Sequence, residues 1–318
     1  MAETHTVRLE PVGIEFEVNE DETVLNGAFR QGLMLMHGCK EGQCSACKSF
    51  LLDGEVDLER YSTFALPDYE EQEGYTLLCR AHALSDVEIE LINYDEEILR
   101  SGVPLRTLPA VVEAVELLTH DIRRLVLQLP DDAELTFHPG QYVDIRIPGS
   151  DGEHRSFSMA NLPSDRGRLE FMIKLYPDGR FSGLLANGTI APGDTLEVTG
   201  PYGVFTLREH ADRRLLFIGG GAGMAPILCL LRSLAEQVPG MRFVPALSEG
   251  EWAGETGLIT DVVARNEGDL SDVDAYLCGP PPMVDAAMEL LLGMGAAESH
   301  IYYDKFTTTE ESEEKSRR

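Results

Sequence analysis

The chain has 318 residues, of which 43% are apolar, enough for two or three domains with cores of their own. Lys and Arg number 26 against 55 Asp and Glu, a net charge of −29, and a field of that sign repels phosphate backbones and anionic lipids. Nucleic acid and membrane surfaces are therefore excluded as partners. No apolar run approaches the roughly 20 residues of a bilayer span, and the opening MAETHTVRLE lacks the basic and apolar parts of a signal peptide. A soluble, cytoplasmic protein acting as a monomer is expected.

Along the first third, His5 to Glu10 and Ile14 to Val18 alternate apolar and polar residues across Pro11 and Gly13, which predicts a β-hairpin. Thr23 is placed as an N-cap before Val24, Leu25, Ala28 and Phe29, which recur at helical spacing until Gly32. A cysteine-rich loop follows, and Val87 to Ile92 alternates as a closing strand. Gly102, Val103 and Pro104 then mark a boundary, so the first domain is read as residues 1–103.

Residues 104–208 carry only strand signals: Ala110 to Leu117, Ile122 to Leu129, Tyr142 to Ile147, Leu169 to Leu175 and Thr195 to Val198, with turns such as Pro139-Gly140 between them. That spacing suits a small antiparallel barrel. Over residues 209–306 the pattern changes to βα alternation, with a buried-type strand from Leu215 to Ile218, a glycine cluster, an apolar helix from Ala225 to Leu234 and a strand from Val273 to Cys278. This is the signature of a doubly wound α/β domain. Residues 307–318, TTTEESEEKSRR, are wholly polar and are expected to be a disordered tail.

Four of the six cysteines, Cys39, Cys44, Cys47 and Cys79, form C-x4-C-x2-C with a fourth Cys 32 positions later, the plant-type spacing for a 2Fe-2S cluster. Two bridged irons need four thiolates, and a tight loop with Gly38, Gly42 and the small Ser45 and Ala46 lets backbone amides point at the sulfurs. Those amides stabilise the cluster's negative charge and tune its potential. Structural zinc also takes four cysteines, but usually in paired C-x2-C knuckles, and one such knuckle is present here. Cys229 and Cys278 stand alone in apolar stretches, where core packing is the ordinary role.

The run GCKEGQCSACKSFLLDGEVDLERYSTFALPDYEEQEGYTLLCRAHA resembles the ferredoxin domain in reductase components of bacterial soluble di-iron monooxygenases, of the propane and methane type. The resemblance extends to about Phe306 and implies a β-grasp 2Fe-2S ferredoxin, a six-stranded antiparallel flavin-binding β-barrel and a doubly wound parallel-sheet nucleotide domain. Arg155-Ser156-Phe157-Ser158 is similar to the family's R-x-Y-S flavin motif, with Phe for Tyr. The resemblance implies that Arg155 pairs with the flavin pyrophosphate, that Phe157 stacks in the flavin site and that Ser158 offers its hydroxyl to the flavin N5 edge. Met172-Ile173-Lys174 and Gly179-Arg180-Phe181-Ser182 resemble the second flavin element, a turn opening a short helix, which favours FAD over FMN because the helix start suits a diphosphate.

Gly219-Gly220-Gly221-Ala222-Gly223-Met224-Ala225-Pro226 reads as a strand end, a glycine loop and a helix start, a place where a dinucleotide pyrophosphate can approach the backbone. Cys278-Gly279-Pro280-Pro281-Pro282-Met283 resembles the family's turn beside the nicotinamide, which implies that Cys278 lies near the C4 position of NADH. Phe306, ending Ile301-Tyr302-Tyr303-Asp304-Lys305-Phe306, aligns with a terminal aromatic that covers the flavin in the family. Here the chain departs from its relatives. Only 58 residues separate Gly219 from Cys278, about 25 to 30 fewer than a full domain needs, which predicts the loss of one βα unit on the adenosine side.

The resemblance implies an NADH-dependent electron-transfer enzyme that reduces FAD, then a 2Fe-2S cluster, then a di-iron hydroxylase partner. The shortened nucleotide domain leaves a second reading open, a flavo-iron-sulfur carrier or docking protein that no longer binds NADH. The first 103 residues hold 22 acids and 7 bases, so a third of the chain carries about half of the net charge. Glu55, Asp57, Glu59, Asp68, Glu70, Glu71 and Glu73 all lie between the third and fourth cysteines. They form either a solvated face or a surface that steers the ferredoxin domain onto a basic partner.

Overall fold

Alternation builds the first sheet. In β1 (Thr4–Glu10) Val7 and Leu9 face inward, and in the antiparallel β2 (Ile14–Asn19) Phe16 and Val18 do so. The structure, a computed structural model, describes residues 3–208, 212–235, 240–250 and 252–306, and the tail expected over 307–318 lies outside the described residues. In α1 (Val24–Arg30) the Thr23 hydroxyl accepts from the Asn26 amide at 3.3 Å, while Val24, Leu25, Ala28 and Phe29 are buried. The cap and the apolar stripe anticipated for this helix are both present.

Next come β3 (Lys48–Asp53), β4 (Val56–Leu58), α2 (Asp68–Glu73), β5 (Tyr75–Leu77), β6 (Ala81–Ala83), β7 (Val87–Leu91) and α3 (Glu96–Arg100). The sheet order is β2-β1-β7-β3-β5, with β1 and β7 parallel at its centre and β4 paired to β6 beside it. With α1 packed against β2 and β6, this is the expected β-grasp. Neither α2 nor α3 shows in the apolar pattern, for they are six and five residues long and α2 buries no side chain.

The barrel consists of β8 (Arg106–Leu117), β9 (Ile122–Gln128), β10 (Tyr142–Arg146), β11 (His154–Ser158), β12 (Arg168–Lys174) and, after α4 (Arg180–Ala186), β13 (Thr195–Tyr202). Their order is β11-β10-β13-β8-β9-β12, and a bridge between Met159 and Phe171 nearly closes it between its ends. Val112, Leu125, Leu127, Val143, Ile145, Leu169 and Phe171 fill the interior.

The nucleotide part holds β14 (Arg214–Gly219), α5 (Met224–Leu234), β15 (Ala246–Leu247), β16 (Glu255–Thr256), α6 (Ile259–Asn266), β17 (Val273–Gly279), α7 (Pro281–Gly293) and β18 (Ile301–Lys305). The parallel sheet has the order β14-β17-β18, so among the described residues β14 is an edge strand and β15 pairs only with β16. Burial agrees: all seven residues of β17 are buried, whereas β14 is mostly half-exposed. In the usual doubly wound order 3-2-1-4-5 the second strand lies beside the first and carries the third. Without it among the described residues, the Phe243 to Ser248 stretch pairs only with β16, through Ala246 and Leu247, and stays off the β14-β17-β18 sheet. One device holds the three strands in register: Phe217, Tyr276 and Tyr302 stack side by side with centroids 5.2 and 4.9 Å apart. Such pairs contribute about 0.5–1.5 kcal/mol each beyond the area they bury.

Contacts divide the chain into two compact units. Among the described residues one comprises those up to Arg106 together with Gly200–Val204, the other Thr107–Thr199 together with those from Phe205 to Phe306.

Candidate functional site

The cysteine loop between α1 and β3 is shaped by three left-handed residues, Lys40, Gly42 and Ser45, with φ of 58°, 70° and 56°. Each reversal turns amides inward. The Cys39 N–H donates to Cys44 Sγ at 3.2 Å, and the N–H groups of Gln43 and Glu41 donate to Cys39 Sγ at 3.1 and 3.4 Å. The Ala46 amide reaches Cys44 and the Gly42 amide reaches Cys79. Gly42 is required twice over, since besides its φ a Cβ there would lie 2.8 Å from both Tyr61 Cβ and Arg80 Cδ.

The four sulfurs form two hydrogen-bonded pairs, Cys39 with Cys44 and Cys47 with Cys79. Within each pair one thiol is held low by its partner's hydrogen bond, Cys44 and Cys47, while Cys39 and Cys79 are pushed up by that same bond and by burial. A zinc ion at its usual 2.3 Å from four sulfurs would bring every pair of sulfurs to about 3.8 Å. Among the described residues no three cysteines have sulfurs within 4.8 Å of one another. Two separate pairs under an amide cradle fit two bridged irons, not one zinc. Cys44 is exposed and Cys39 partly so, whereas Cys47 and Cys79 are buried.

Beside the loop lie residues that spacing alone did not single out. Arg80, adjacent to Cys79, packs its methylenes on Gly42 and pairs with Glu59. The Lys40 ammonium sits 3.5 Å from the centroid of the Tyr202 ring, which meets Phe29 edge-on, and Phe29 in turn meets His37. The Arg80 signal was legible as a cation next to Cys79; Tyr202 was not, because it lies more than 150 residues from the loop. The segment from Tyr61 to Leu66 is tied to the loop by the Ser62 amide on the Gly42 carbonyl and the Ser45 hydroxyl on the Ala65 carbonyl. It holds Phe64 71% exposed, and α2, which follows it, carries the exposed Tyr69 and several acids.

The residues expected at the flavin lie on β11, β12 and the start of α4. Arg155 is half-buried on β11 and donates to the His154 carbonyl at 2.7 Å; the Ser156 hydroxyl donates to Asp144 at 2.6 Å. Phe157 packs against Phe181, centroids 4.9 Å apart, and Ser158 is buried. Ile173 is buried and Lys174 half-buried at the end of β12. Gly179 precedes α4 without any side-chain cap, and the Ser182 hydroxyl accepts from the Tyr176 amide at 3.1 Å. A half-buried guanidinium, an aromatic pair and an uncapped turn are a donor set that suits an anionic, planar group.

The glycine loop joins β14 to α5 through a 3-10 turn over Gly221–Gly223. It packs against β12 and β17. At Gly223 a Cβ would fall 2.3 Å from the Cys278 carbonyl oxygen, and the Gly220 amide donates to that carbonyl at 2.9 Å, so the glycines bring the loop onto the Cys278 turn. Met224 and Pro226 open α5, where proline in the first turn loses no hydrogen bond. Pro280 precedes α7, and Met283 lies over Gly220 and Gly279. The Cys278 side chain is fully buried in one cluster with Tyr276 and Ile227, against which Phe306 packs. Burial, and then Asp304, push its thiol well above the ordinary range. The Phe306 amide donates to the Gly279 carbonyl at 2.9 Å.

Parallel pairing also sets Asp304 opposite Cys278. Desolvation pushes its carboxyl up to about 6. Sequence reasoning passed over it, because its neighbour is fixed by the register of β17 and β18, not by any local motif. Cys229, fully buried, donates its thiol to the Asn161 carbonyl at 3.0 Å and is pushed up to about 11 by burial.

Known proteins share this arrangement. Families described as a 2Fe-2S iron-sulfur cluster binding domain, an oxidoreductase FAD-binding domain and an oxidoreductase NAD-binding domain match residues 7–84, 109–207 and 229–289. The reductase component of a propane 2-monooxygenase from Mycolicibacterium smegmatis is 47% identical over 345 aligned positions, covering 97% of this chain and 99% of that protein. The reductase component of a phenol 2-monooxygenase from a Pseudomonas species is 35% identical, covering 96% and 95%. An Amycolatopsis cytochrome P450 reductase superposes with a TM-score of 0.87 at 31% identity, over 96% of this chain and 99% of its own. The first alignment is longer than the 318 residues of this chain, so that relative carries residues this chain lacks, in keeping with the absent βα unit. With the cluster, flavin and nicotinamide domains in this order, the chain belongs to the ferredoxin-NAD(P) reductase family, in the branch of monooxygenase reductase components.

Proposed function

We propose that the chain carries electrons from NADH through FAD and a 2Fe-2S cluster to the di-iron hydroxylase of a hydrocarbon monooxygenase, using modules over residues 1–103, 104–208 and 209–306. The observation that carries this reading is the pairing of the four cysteine sulfurs under inward amides, in a chain whose flavin and nicotinamide domains follow in order. NADH gives up two electrons at once, FAD releases them singly and the cluster takes one at a time.

The side chains hold and shield. Cys39, Cys44, Cys47 and Cys79 ligate the cluster. Arg155 pairs with the flavin pyrophosphate beside the turn of Gly179, Phe181 and Ser182, while Phe157, Ser158, Ile173 and Lys174 line the ring and its chain. Gly220, Gly221, Gly223, Met224 and Pro226 receive the nicotinamide phosphate, with Gly279, Pro280 and Met283 opposite. Cys278, kept a neutral thiol by burial, and Phe306 exclude water where nicotinamide meets flavin.

The hydroxylase docks at the cluster end of the ferredoxin module. Phe64 and Tyr69 offer exposed apolar anchors, and Asp57, Glu59, Asp68, Glu70, Glu71 and Glu73 supply acids from the same stretch of chain, a composition that suits an interface of apolar anchors and charged rim. A basic partner is steered onto it, so the association rate falls as salt rises. A soluble cytoplasmic monomer is the form in which we place it; no helix among the described residues is long and apolar enough to cross a membrane.

Anaerobic titration of the FAD- and cluster-loaded chain with NADH, followed across the visible spectrum, tests the reading. NADH is expected to bleach the flavin band and then the cluster absorbance. Bleaching by dithionite but not by NADH would overturn it.

A further inference from the structure

Resting on the NADH reading above, we infer that this chain recognises only the nicotinamide mononucleotide half of the dinucleotide, so that reduced nicotinamide mononucleotide is a donor comparable to NADH. A doubly wound domain is two mononucleotide-binding halves meeting at the point where strand order reverses, and a dinucleotide spans both. One half is complete here. Gly223 touches the Cys278 carbonyl, the Gly220 amide bonds to it, and the Phe306 amide bonds to Gly279, so the glycine loop, the Cys278 turn and the end of β18 form one locked surface.

Among the described residues the other half has no floor. Among the described residues β14 has no partner on its outer side, and β15 and β16 pair only with each other. The side chains that follow α5 and would pack in that half face solvent: Phe243 is 69% exposed and Leu258 63%, with Met241, Leu247 and Trp252 also exposed. The usual reader of the adenosine ribose is an acid about 20 residues beyond the glycines, or an arginine for a 2′-phosphate. Residues 240–247, GMRFVPAL, hold no acid. Their one arginine, Arg242, is paired with Glu267. Binding energy drawn from the adenosine end is therefore not available to either NADH or NADPH at this site, and a donor that lacks that end loses little.

The test compares NADH, NADPH and reduced nicotinamide mononucleotide in anaerobic stopped-flow reduction of the fully loaded chain, alongside calorimetry of the oxidised protein with NAD+, nicotinamide mononucleotide and AMP. Second-order rate constants for the three donors are expected to agree within about tenfold, and the Kd values of NAD+ and the mononucleotide likewise, a tenfold ratio being one decade of affinity. AMP is expected not to compete with NAD+. In Arg242→Ala the NADPH to NADH ratio should stay within about twofold. A mononucleotide about 100-fold weaker than NADH, competition by AMP, or a tenfold change of ratio in Arg242→Ala would each overturn the inference and leave NADH use intact. If no nicotinamide donor reduces the flavin and NAD+ does not bind, the NADH reading falls and this inference with it.

Discussion

Two loops in this molecule are shaped by their backbone, the cysteine loop and the glycine loop, and they differ in how much of the chain they need. The cysteine loop is held mostly from nearby: three left-handed residues aim its amides, and Tyr61, Arg80 and the Ser45 contact to Ala65 clamp it, with the Lys40 contact to Tyr202 coming from afar. The glycine loop depends on distant strands. Its shape is set by contact with the Cys278 carbonyl, some 55 residues later, and the reach of its ligand is set by which strands stand beside β14. A compact cluster can be held by one local motif, whereas an extended dinucleotide needs a whole sheet, so a deletion that spares the first kind of site reshapes the second.

Four substitutions break or sharpen that contrast. The largest effect is expected for Cys44→Ser, which should abolish cluster absorbance and electron delivery beyond the flavin while leaving NADH-driven flavin reduction within about twofold; loss of flavin reduction as well would show that the loops are not independent. Gly223→Val puts a branched side chain against backbone that cannot retreat. Overpacking of this kind costs typically about 1–3 kcal/mol, so a lower melting temperature and at least a tenfold loss of NADH-driven reduction are expected, with cluster content unchanged. Arg155→Ala should raise the FAD dissociation constant about tenfold or more, as for other lost hydrogen bonds to charged groups of about 1.5–3 kcal/mol; flavin content after gel filtration measures it.

The smallest effect is a pH dependence. Asp304, ordinarily near 3.8, is pushed up to about 6 by desolvation, so the folded state binds its proton more tightly than the unfolded chain. Its contribution to stability therefore grows as pH falls through 6 and levels off below the ordinary carboxylate range. Relative to Asp304→Asn, wild type should gain melting temperature between pH 7 and pH 4.5, and parallel curves would remove the shift.

The same contrast explains what the sequence disclosed. The convergence of the cysteine loop, the Thr23 cap and the β1–β2 hairpin were legible because each is a short-range pattern with its own geometry. The edge position of β14 was legible only as a shortage of residues between Gly219 and Cys278. Asp304 and the Lys40 contact with Tyr202 were hidden, since strand register and chain return bring them into place. Helices α2 and α3 escaped because so few of their side chains are buried that no stripe forms.

The uneven exposure of the four sulfurs has a consequence for the protein's durability in air. Cys47 and Cys79 are sealed beneath the loop, whereas Cys44 meets solvent, so oxidants and chelators arrive from one side. Damage should begin at Cys44, as sulfenic acid before any harsher product, while the inner pair is reached later. Reduction of that one outer thiol is then enough to restore the set of four.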